Sequence, residues 1–269
     1  MNRSLMAVLL TLTACSSSTT TDSTTADSGT QQTGDTGTTT TAKTFKTHVI
    51  LGDSISDNGG QGPFFYDLLD ADLKAKYGDI KVIKASKGGS KAPNLGGQIS
   101  TVTGPLEGPV LVTITIGGND IQAAIAKVIS GADDTKERTD FQEFLDGALV
   151  ELKKPDRFGP GVQVAVYMTN VYDPSDGTGN FKFASGTKCG GALGFYPAGK
   201  PTTPTLDPWE KIFVDEAAKY QDVHVLDMRA KFQGHGVPTS EPWFVTDCIH
   251  PNAKGHNAIR DLFVASLPK

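Results

Sequence analysis

The chain has 269 residues and a formal net charge of −5 at pH 7. No stripe of lysine and arginine is visible along it, so the charge argues against a nucleic-acid partner. Neither a Cys-x-x-Cys nor a His-Glu-x-x-His pattern occurs in the sequence. A structural zinc site or a zinc protease site is therefore not expected.

Residues 1–15 have the features of a bacterial lipoprotein signal peptide. Arg3 supplies the positive charge, and residues 5–12 form an apolar stretch that is too short to span a membrane as a mature helix. The segment ends in Leu-Thr-Ala-Cys, which is similar to a lipobox, where the chain is cut before a lipid-bearing cysteine. We expect export and anchoring to the cell envelope, at the outer membrane or cell surface, through Cys15. The alternative is a plain secretory signal with Cys15 incidental.

Residues 16–45 consist almost entirely of Ser, Thr, Gly, Asp and Gln. Without apolar side chains this stretch cannot offset the entropy cost of ordering itself, which predicts a flexible, exposed tether. The remaining residues, 46–269, are a normal number for one α/β domain with a sizeable core.

Strand and helix patterns alternate along residues 46–269. Short apolar runs rich in β-branched residues predict five strands, at residues 48–51, 80–85, 110–116, 162–168 and 223–228. Helical periodicity predicts five helices, at residues 63–77, 121–129, 140–153, 208–220 and 251–267. This alternation is typical of a parallel sheet with helices packed on it. The long segment 171–206, rich in Gly, Pro and Thr, is expected to be functional because so long a loop is uncommon.

Four turns of this chain carry residues suited to catalysis. They hold Ser54, Gly89, Asn119, and the pair Asp247 and His250. The first three follow predicted strands, and the carboxyl ends of parallel strands meet at one edge of the sheet, where open α/β sheets bind ligands. The fourth turn needs only to fold back over that edge. Each turn alone is also compatible with an ordinary tight turn or helix cap.

Together these residues match the requirements of acyl transfer. Ser54 can act as nucleophile, His250 as its base, and Asp247 as the group that orients the base. The backbone N–H groups of Ser54 and Gly89 and the side-chain amide of Asn119 can form an oxyanion hole. His235 and His256 are rival bases, but neither has an aspartate three residues before it.

The chain resembles the GDSL, or SGNH, hydrolase family of esterases and lipases. Residues 52–56, Gly-Asp-Ser-Ile-Ser, are similar to the first block of this family, with Ile55 where Leu is common. Residues 117–120, Gly-Gly-Asn-Asp, match the third block, and residues 247–251 match the Asp-x-x-His block. The resemblance covers the chain from about residue 47 to its C-terminus.

The second block departs from the family pattern. Gly89 stands where the conserved glycine of that block is expected, but Lys84 occupies the position of its usual Asn. Gly88 is therefore the alternative donor. The resemblance implies an α/β fold with three α/β/α layers and a mostly parallel five-stranded, flavodoxin-like sheet. It also implies ester hydrolysis by a Ser-His-Asp triad without metal or cofactor.

These observations lead to the hypothesis of an exported, lipid-anchored serine esterase that acts on short-chain acyl or lipid esters. Two alternatives remain open, a polysaccharide O-acetylesterase of the same family and a non-catalytic surface binding domain. We expect a monomer whose substrate is a small-molecule or glycan ester. Because exported proteins meet an oxidising compartment, Cys189 and Cys248 are candidates for a disulfide, the alternative being two separate thiols.

Overall fold

A five-stranded, entirely parallel sheet lies at the centre of the protein, whose structure is a computed structural model that describes residues 44–269. The predicted signal peptide, Cys15 and residues 16–43 of the tether lie outside the described residues. The strands are β1 (Thr47–Gly52), β2 (Lys81–Lys84), β3 (Val110–Thr115), β4 (Val164–Thr169) and β5 (Val223–Leu226). Their order is β2-β1-β3-β4-β5, the doubly wound order of flavodoxin-like sheets.

Seven helices cover the sheet in the described part of the chain. They are α1 (Phe65–Tyr77), α2 (Leu95–Thr101), α3 (Gly118–Ser130), α4 (Thr135–Lys153), α5 (Thr203–Ala217), α6 (Met228–Phe232) and α7 (Ala253–Ser266). Between residues 44 and 269, no helix is both long and apolar enough to cross a membrane.

Two hydrophobic cores lie on opposite faces of the sheet. Side chains of successive strand residues point to opposite faces, so Leu51 joins the core formed with α2, α4 and α5, and Ile50 joins the core formed with α1, α6 and α7. All residues of β1, β3 and β4 are buried, as expected of central parallel strands covered on both sides. The predicted three-layer α/β/α fold is confirmed.

Several helix boundaries differ from the sequence-based expectations. Helix α2 was not predicted because Gly96 and Gly97 lower its helix propensity, and burial of Leu95 and Ile99 stabilises it instead. Helix α5 begins at Thr203 rather than at residue 208, and α4 begins at Thr135 rather than at residue 140.

The last helix begins at Ala253, not at Pro251. The side chain of Asn252 accepts hydrogen bonds from the N–H groups of Lys254 and Gly255, so Asn252 is the N-cap. At the other end of the domain, Phe45 is fully buried although we assigned it to the tether. The packed domain therefore includes Phe45, one residue before the expected boundary.

A disulfide joins Cys189, in the long 171–206 segment, to Cys248, between Asp247 and His250. Both cysteines are buried, and 59 residues separate them along the chain. Of the two alternatives that the sequence left open, the structure has the bonded pair. The disulfide attaches the long segment to the turn that carries the candidate base.

Replacing both Cys189 and Cys248 with alanine should lower the free energy of unfolding by about 2–4 kcal/mol, because the bond closes a long loop in the unfolded chain. Urea denaturation of both proteins, with and without reducing agent, measures this. The reductant should lower the midpoint of the wild-type protein and leave the double variant unchanged. Identical midpoints for the two oxidised proteins would contradict the prediction.

Candidate active site

The turn that carries Ser54 is held in place by the contact between β1 and β3. Gly52 ends β1 with a φ of +126°, and a Cβ atom there would lie 2.1 Å from the carbonyl oxygen of Thr115. Only glycine fits this approach. The N–H of Asp53 donates to the same carbonyl oxygen at 2.8 Å. Ser54 therefore lies at the carboxyl end of the sheet between β1 and β3, where the strand order reverses.

Gln98 on α2 holds Gly52 from the other side. The Gly52 N–H donates to the side-chain oxygen of Gln98, and the side-chain amide of Gln98 donates to the Gly52 carbonyl, both at 2.7 Å. The same amide donates to the Ser90 hydroxyl at 3.0 Å. Gln98 thus ties the first block to the second, a role that no local sequence signal indicates.

Asp53 stabilises the turn from within. Its Oδ1 accepts the Ile55 N–H and the Thr115 hydroxyl, each at 3.0 Å. Burial raises the pKa of Asp53 to about 7, although these two hydrogen bonds act in the opposite direction. The hydroxyl of Thr115 also pairs with that of Ser56 at 2.8 Å, so one strand residue organises both ends of the turn.

Ser54, His250 and Asp247 form a continuous chain of hydrogen bonds. His250 Nε2 lies 2.8 Å from Ser54 Oγ, and His250 Nδ1 lies 2.7 Å from Asp247 Oδ2. With its proton on Nδ1, His250 donates to Asp247 and accepts the Ser54 hydroxyl. The other oxygen of Asp247 accepts the N–H groups of Ile249 and His250 at 2.8 and 2.9 Å.

The environment of Asp247 favours its ionised form. Partial burial raises its pKa, but hydrogen bonds from the His250 backbone, the His250 ring and the Ile249 N–H outweigh burial and hold the pKa below its ordinary value. The carboxylate is thus a stable acceptor for the imidazole N–H near neutral pH.

Three contacts hold the His250 turn over the sheet edge. A Cβ atom on Gly59 would lie 2.5 Å from His250 Cδ2, so the loop after the first block packs directly against the ring. The Tyr172 hydroxyl donates to the Ile249 carbonyl oxygen. The disulfide of Cys248 supplies the third contact. The 171–206 segment therefore holds this turn twice, once through Tyr172 and once through Cys189.

The second block is arranged around Asp57. The N–H of Gly88 donates to its carboxylate at 2.8 Å, and Lys84 pairs with the same carboxylate at 3.1 Å. Gly88 is therefore not a free donor. Gly89, with a φ of +77°, makes no hydrogen bond through its N–H within the described chain, and the same holds for the N–H of Ser54. Lys84, which departs from the family pattern, connects the first two blocks through Asp57.

The third block begins α3. The Asn119 side chain donates one amide hydrogen to the Ser90 carbonyl at 3.0 Å, which leaves its second hydrogen for another acceptor. Asp120 accepts the N–H of Ala92 through both carboxylate oxygens at 3.2 Å. Burial raises the pKa of Asp120 to about 6, against the lowering effect of that bond. Ser90 and Ala92 thus hold the second block against the third.

A mostly apolar pocket of about 850 Å³, its open mouth included, extends from Ser54 and Asn119. Most of its apolar wall comes from the first turn, helix α3 and the 171–206 segment, and single residues are added after β3, on α6 and in the turn of the candidate base. The residues are Ile55, Ile116, Ile121, Ile125, Val171, Tyr172, Phe181, Leu193, Tyr196, Leu206, Met228 and Ile249. Gly89 lines another, more open cleft, which the second block and α2 form.

The two rival histidines have other partners. His256 is fully buried on α7, and its Nε2–H donates to the Gly59 carbonyl at 2.9 Å. His235 stacks on Trp243 with 3.6 Å between ring centroids. His256 therefore supports the Gly59 loop, which in turn packs against His250. No group of three or more His, Cys, Asp and Glu that could hold a metal ion occurs in residues 44–269.

Burial lowers the pKa of His256 to about 4, because the charged ring would lose its hydration and Nδ1 has no hydrogen-bond partner among residues 44–269. Between about pH 6.5 and 4 the unfolded chain binds a proton at this residue and the folded chain does not, so acid favours unfolding. The unfolding free energy of the wild-type protein should fall by up to about 3 kcal/mol more than that of His256→Gln over this range. Denaturant titrations at several pH values measure the difference. Parallel curves for the two proteins would contradict it.

The sequence profile of the GDSL-like lipase/acylhydrolase family matches residues 50–258. The chain belongs to this family. The match spans all four turns described above, from the end of β1 to α7. Membership of this family identifies the protein as a carboxylic ester hydrolase. The alternative of a non-catalytic binding domain is therefore set aside. A search of curated proteins returns no match.

Solved structures of similar fold include both lipases and acetyl esterases. The lipase Lip_vut3 from a goat rumen metagenome is 16% identical with a TM-score of 0.56, over 83% of this chain and 99% of that one. An extracellular lipase from Streptomyces rimosus is 19% identical with a TM-score of 0.53, over 82% and 99%. Axe2, an acetylxylan esterase from Geobacillus stearothermophilus, is 18% identical with a TM-score of 0.54, over 84% and 95%. These low identities establish a shared fold only.

Proposed function

We propose that the protein hydrolyses acyl esters through a catalytic triad of Ser54, His250 and Asp247. The observation that carries this proposal is the chain of two short hydrogen bonds from Ser54 Oγ through His250 to Asp247. This is the geometry of a nucleophile in contact with its base, and of a base held by a third group.

In the first half of the reaction, Ser54 Oγ attacks the ester carbonyl carbon and passes its proton to His250 Nε2. The N–H groups of Ser54 and Gly89 and the free amide hydrogen of Asn119 stabilise the oxyanion. One such donor typically contributes a factor of roughly 100 to 1,000 in rate. His250 then protonates the departing alcohol, which leaves an acyl group on Ser54.

In the second half, water enters and gives a proton to His250 Nε2 as its oxygen attacks the acyl carbon. Collapse of the second tetrahedral intermediate releases the carboxylic acid, and the proton returns to Ser54 Oγ. Asp247 keeps the proton of the neutral ring on Nδ1 and stabilises the imidazolium that forms in each half. The N-terminus of α3 lies at the same place, and its dipole favours negative charge there.

The apolar pocket favours an acyl chain as the substrate's acid part. Gly118, Ile121 and Ile125 lie on one face of α3, and seven residues of helix extend about 10 Å from the oxyanion site. A slot of that length lined by aliphatic and aromatic side chains suits an extended hydrocarbon chain. An acetyl group on a polysaccharide would leave most of this surface uncovered, so we place the O-acetylesterase second.

Export and anchoring through Cys15 remain part of the proposal. They rest on the signal sequence alone, from Arg3 to the lipobox-like end of the segment. Two acyl chains on the cysteine would give stable attachment to a membrane. A domain tethered in this way would work close to a lipid surface.

Ser54→Ala and His250→Ala should each lower kcat for nitrophenyl esters by at least about a thousandfold, because each removes a member of the triad. Stopped assays with purified protein measure this, and circular dichroism checks that the fold survives. Ser100→Ala is the matched control, since within residues 44–269 the hydroxyl of this exposed serine on α2 bonds only the Gly97 carbonyl. Near-wild-type turnover in either triad variant would overturn the mechanism.

Ile125→Phe should shorten the pocket without touching the triad. We expect kcat/KM to fall about tenfold or more for octanoate and laurate esters and to stay close to wild type for acetate, because the added ring occupies the space of the distal chain. Ile129→Phe, one turn further along α3 and outside the pocket wall, is the control. An equal loss on acetate and laurate would show that the pocket does not hold the acyl chain.

A further inference from the structure

The segment from Gly177 to Leu206 differs in charge from the rest of the protein. It contains three lysines and no aspartate or glutamate, whereas the whole chain carries a formal net charge of −5. We call these residues the 177–206 lobe. The lobe is thus a locally cationic part of an acidic protein, and it also forms one wall of the pocket.

The lobe carries an exposed aromatic tip. Phe195 is 82% exposed, the most exposed large apolar side chain in residues 44–269. It ends a short 3-10 turn, Gly191–Phe195, and its neighbours Leu193 and Tyr196 line the pocket. No charged residue occurs between Cys189 and Lys200. An apolar, uncharged tip therefore borders the pocket that leads to Ser54.

Two exposed lysines lie beside this tip. Lys182 and Lys188 face each other in a β-bridge, and neither forms an ion pair within the described part of the chain. A Cβ atom on Gly194 would lie 2.5 Å from the Cys189 carbonyl oxygen. The turn that carries Phe195 therefore packs against Cys189, which directly follows Lys188. The third lysine, Lys200, donates to the Val128 carbonyl and is already engaged.

We propose that the 177–206 lobe docks on the surface of an anionic phospholipid bilayer. Phe195 inserts among the acyl chains near the headgroups, and Lys182 and Lys188 contact the lipid phosphates. A lipid surface requires no matching shape, and the exposed aromatic side chain and the two cations beside it each contribute to interfacial binding. Docking in this orientation sets the pocket mouth against the membrane, where an acyl ester could enter without crossing water.

The test uses residues 16–269, so that neither the apolar signal segment nor the proposed lipid anchor on Cys15 contributes. Binding of this chain is measured by co-sedimentation with vesicles of equimolar phosphatidylcholine and phosphatidylglycerol, and with vesicles of phosphatidylcholine alone. We expect binding to the anionic vesicles and clearly weaker binding to the neutral ones. Phe195→Ala should weaken binding about tenfold. Lys182→Gln and Lys188→Gln should each weaken it about fivefold.

Matched controls lie elsewhere on the surface. Phe144→Ala changes another exposed phenylalanine, on α4, and Lys74→Gln with Lys81→Gln removes two exposed lysines near the amino edge of the sheet. Neither control should change vesicle binding. Absence of binding by the parent chain, or equal losses in the lobe variants and controls, would overturn the docking proposal.

The assay separates this proposal from the proposed catalysis. Phe195 does not line the pocket, so Phe195→Ala should hydrolyse a soluble acetate ester at the parent rate. Vesicle binding without any ester turnover would support the docking and count against the triad. Turnover without vesicle binding would support the triad and overturn the docking.

Discussion

The close approach of Gly52 to the Thr115 carbonyl oxygen is the constraint on which the site depends. It brings the ends of β1 and β3 together so tightly that no side chain fits between them. Thr115 then bonds the Asp53 N–H through its carbonyl and the Asp53 carboxylate through its hydroxyl. Ser54 follows within two residues of this contact. Its position is therefore determined by the sheet itself and not by a flexible loop.

The remaining parts of the site are attached to that fixed point by side chains distant in sequence. Gln98 ties Gly52 to the second block, and Asp57, just after the first block, bonds Lys84 and Gly88 of the second. His250 reaches Ser54 across 196 residues of chain. The turn that carries His250 packs against Gly59, and the disulfide of Cys248 joins this turn to Cys189. These contacts act together to hold the hydrogen bonds that join Ser54, His250 and Asp247.

The 171–206 segment makes three kinds of contact in this structure. Its start, through Tyr172, supports the turn of the candidate base, and its middle, through Cys189, is covalently attached to the same turn. Its apolar side chains form one wall of the pocket, while Phe195 faces outward. The segment therefore contacts both the pocket and the turn that carries His250. A change in the segment is expected to affect both.

The sequence by itself determined the strands, the alternation of elements and the four turns, because apolar periodicity and turn-forming residues are local signals. These signals also sufficed to select Ser54, His250 and Asp247, which the structure joins by hydrogen bonds. Tertiary structure alone decided the roles of Gln98 and Lys84, the choice between Gly88 and Gly89 as free donor, and the wall of the pocket. Each depends on contacts between segments far apart in the chain. Helix α2 also depends on the tertiary structure, because burial of its apolar side chains, and not local helix propensity, stabilises it.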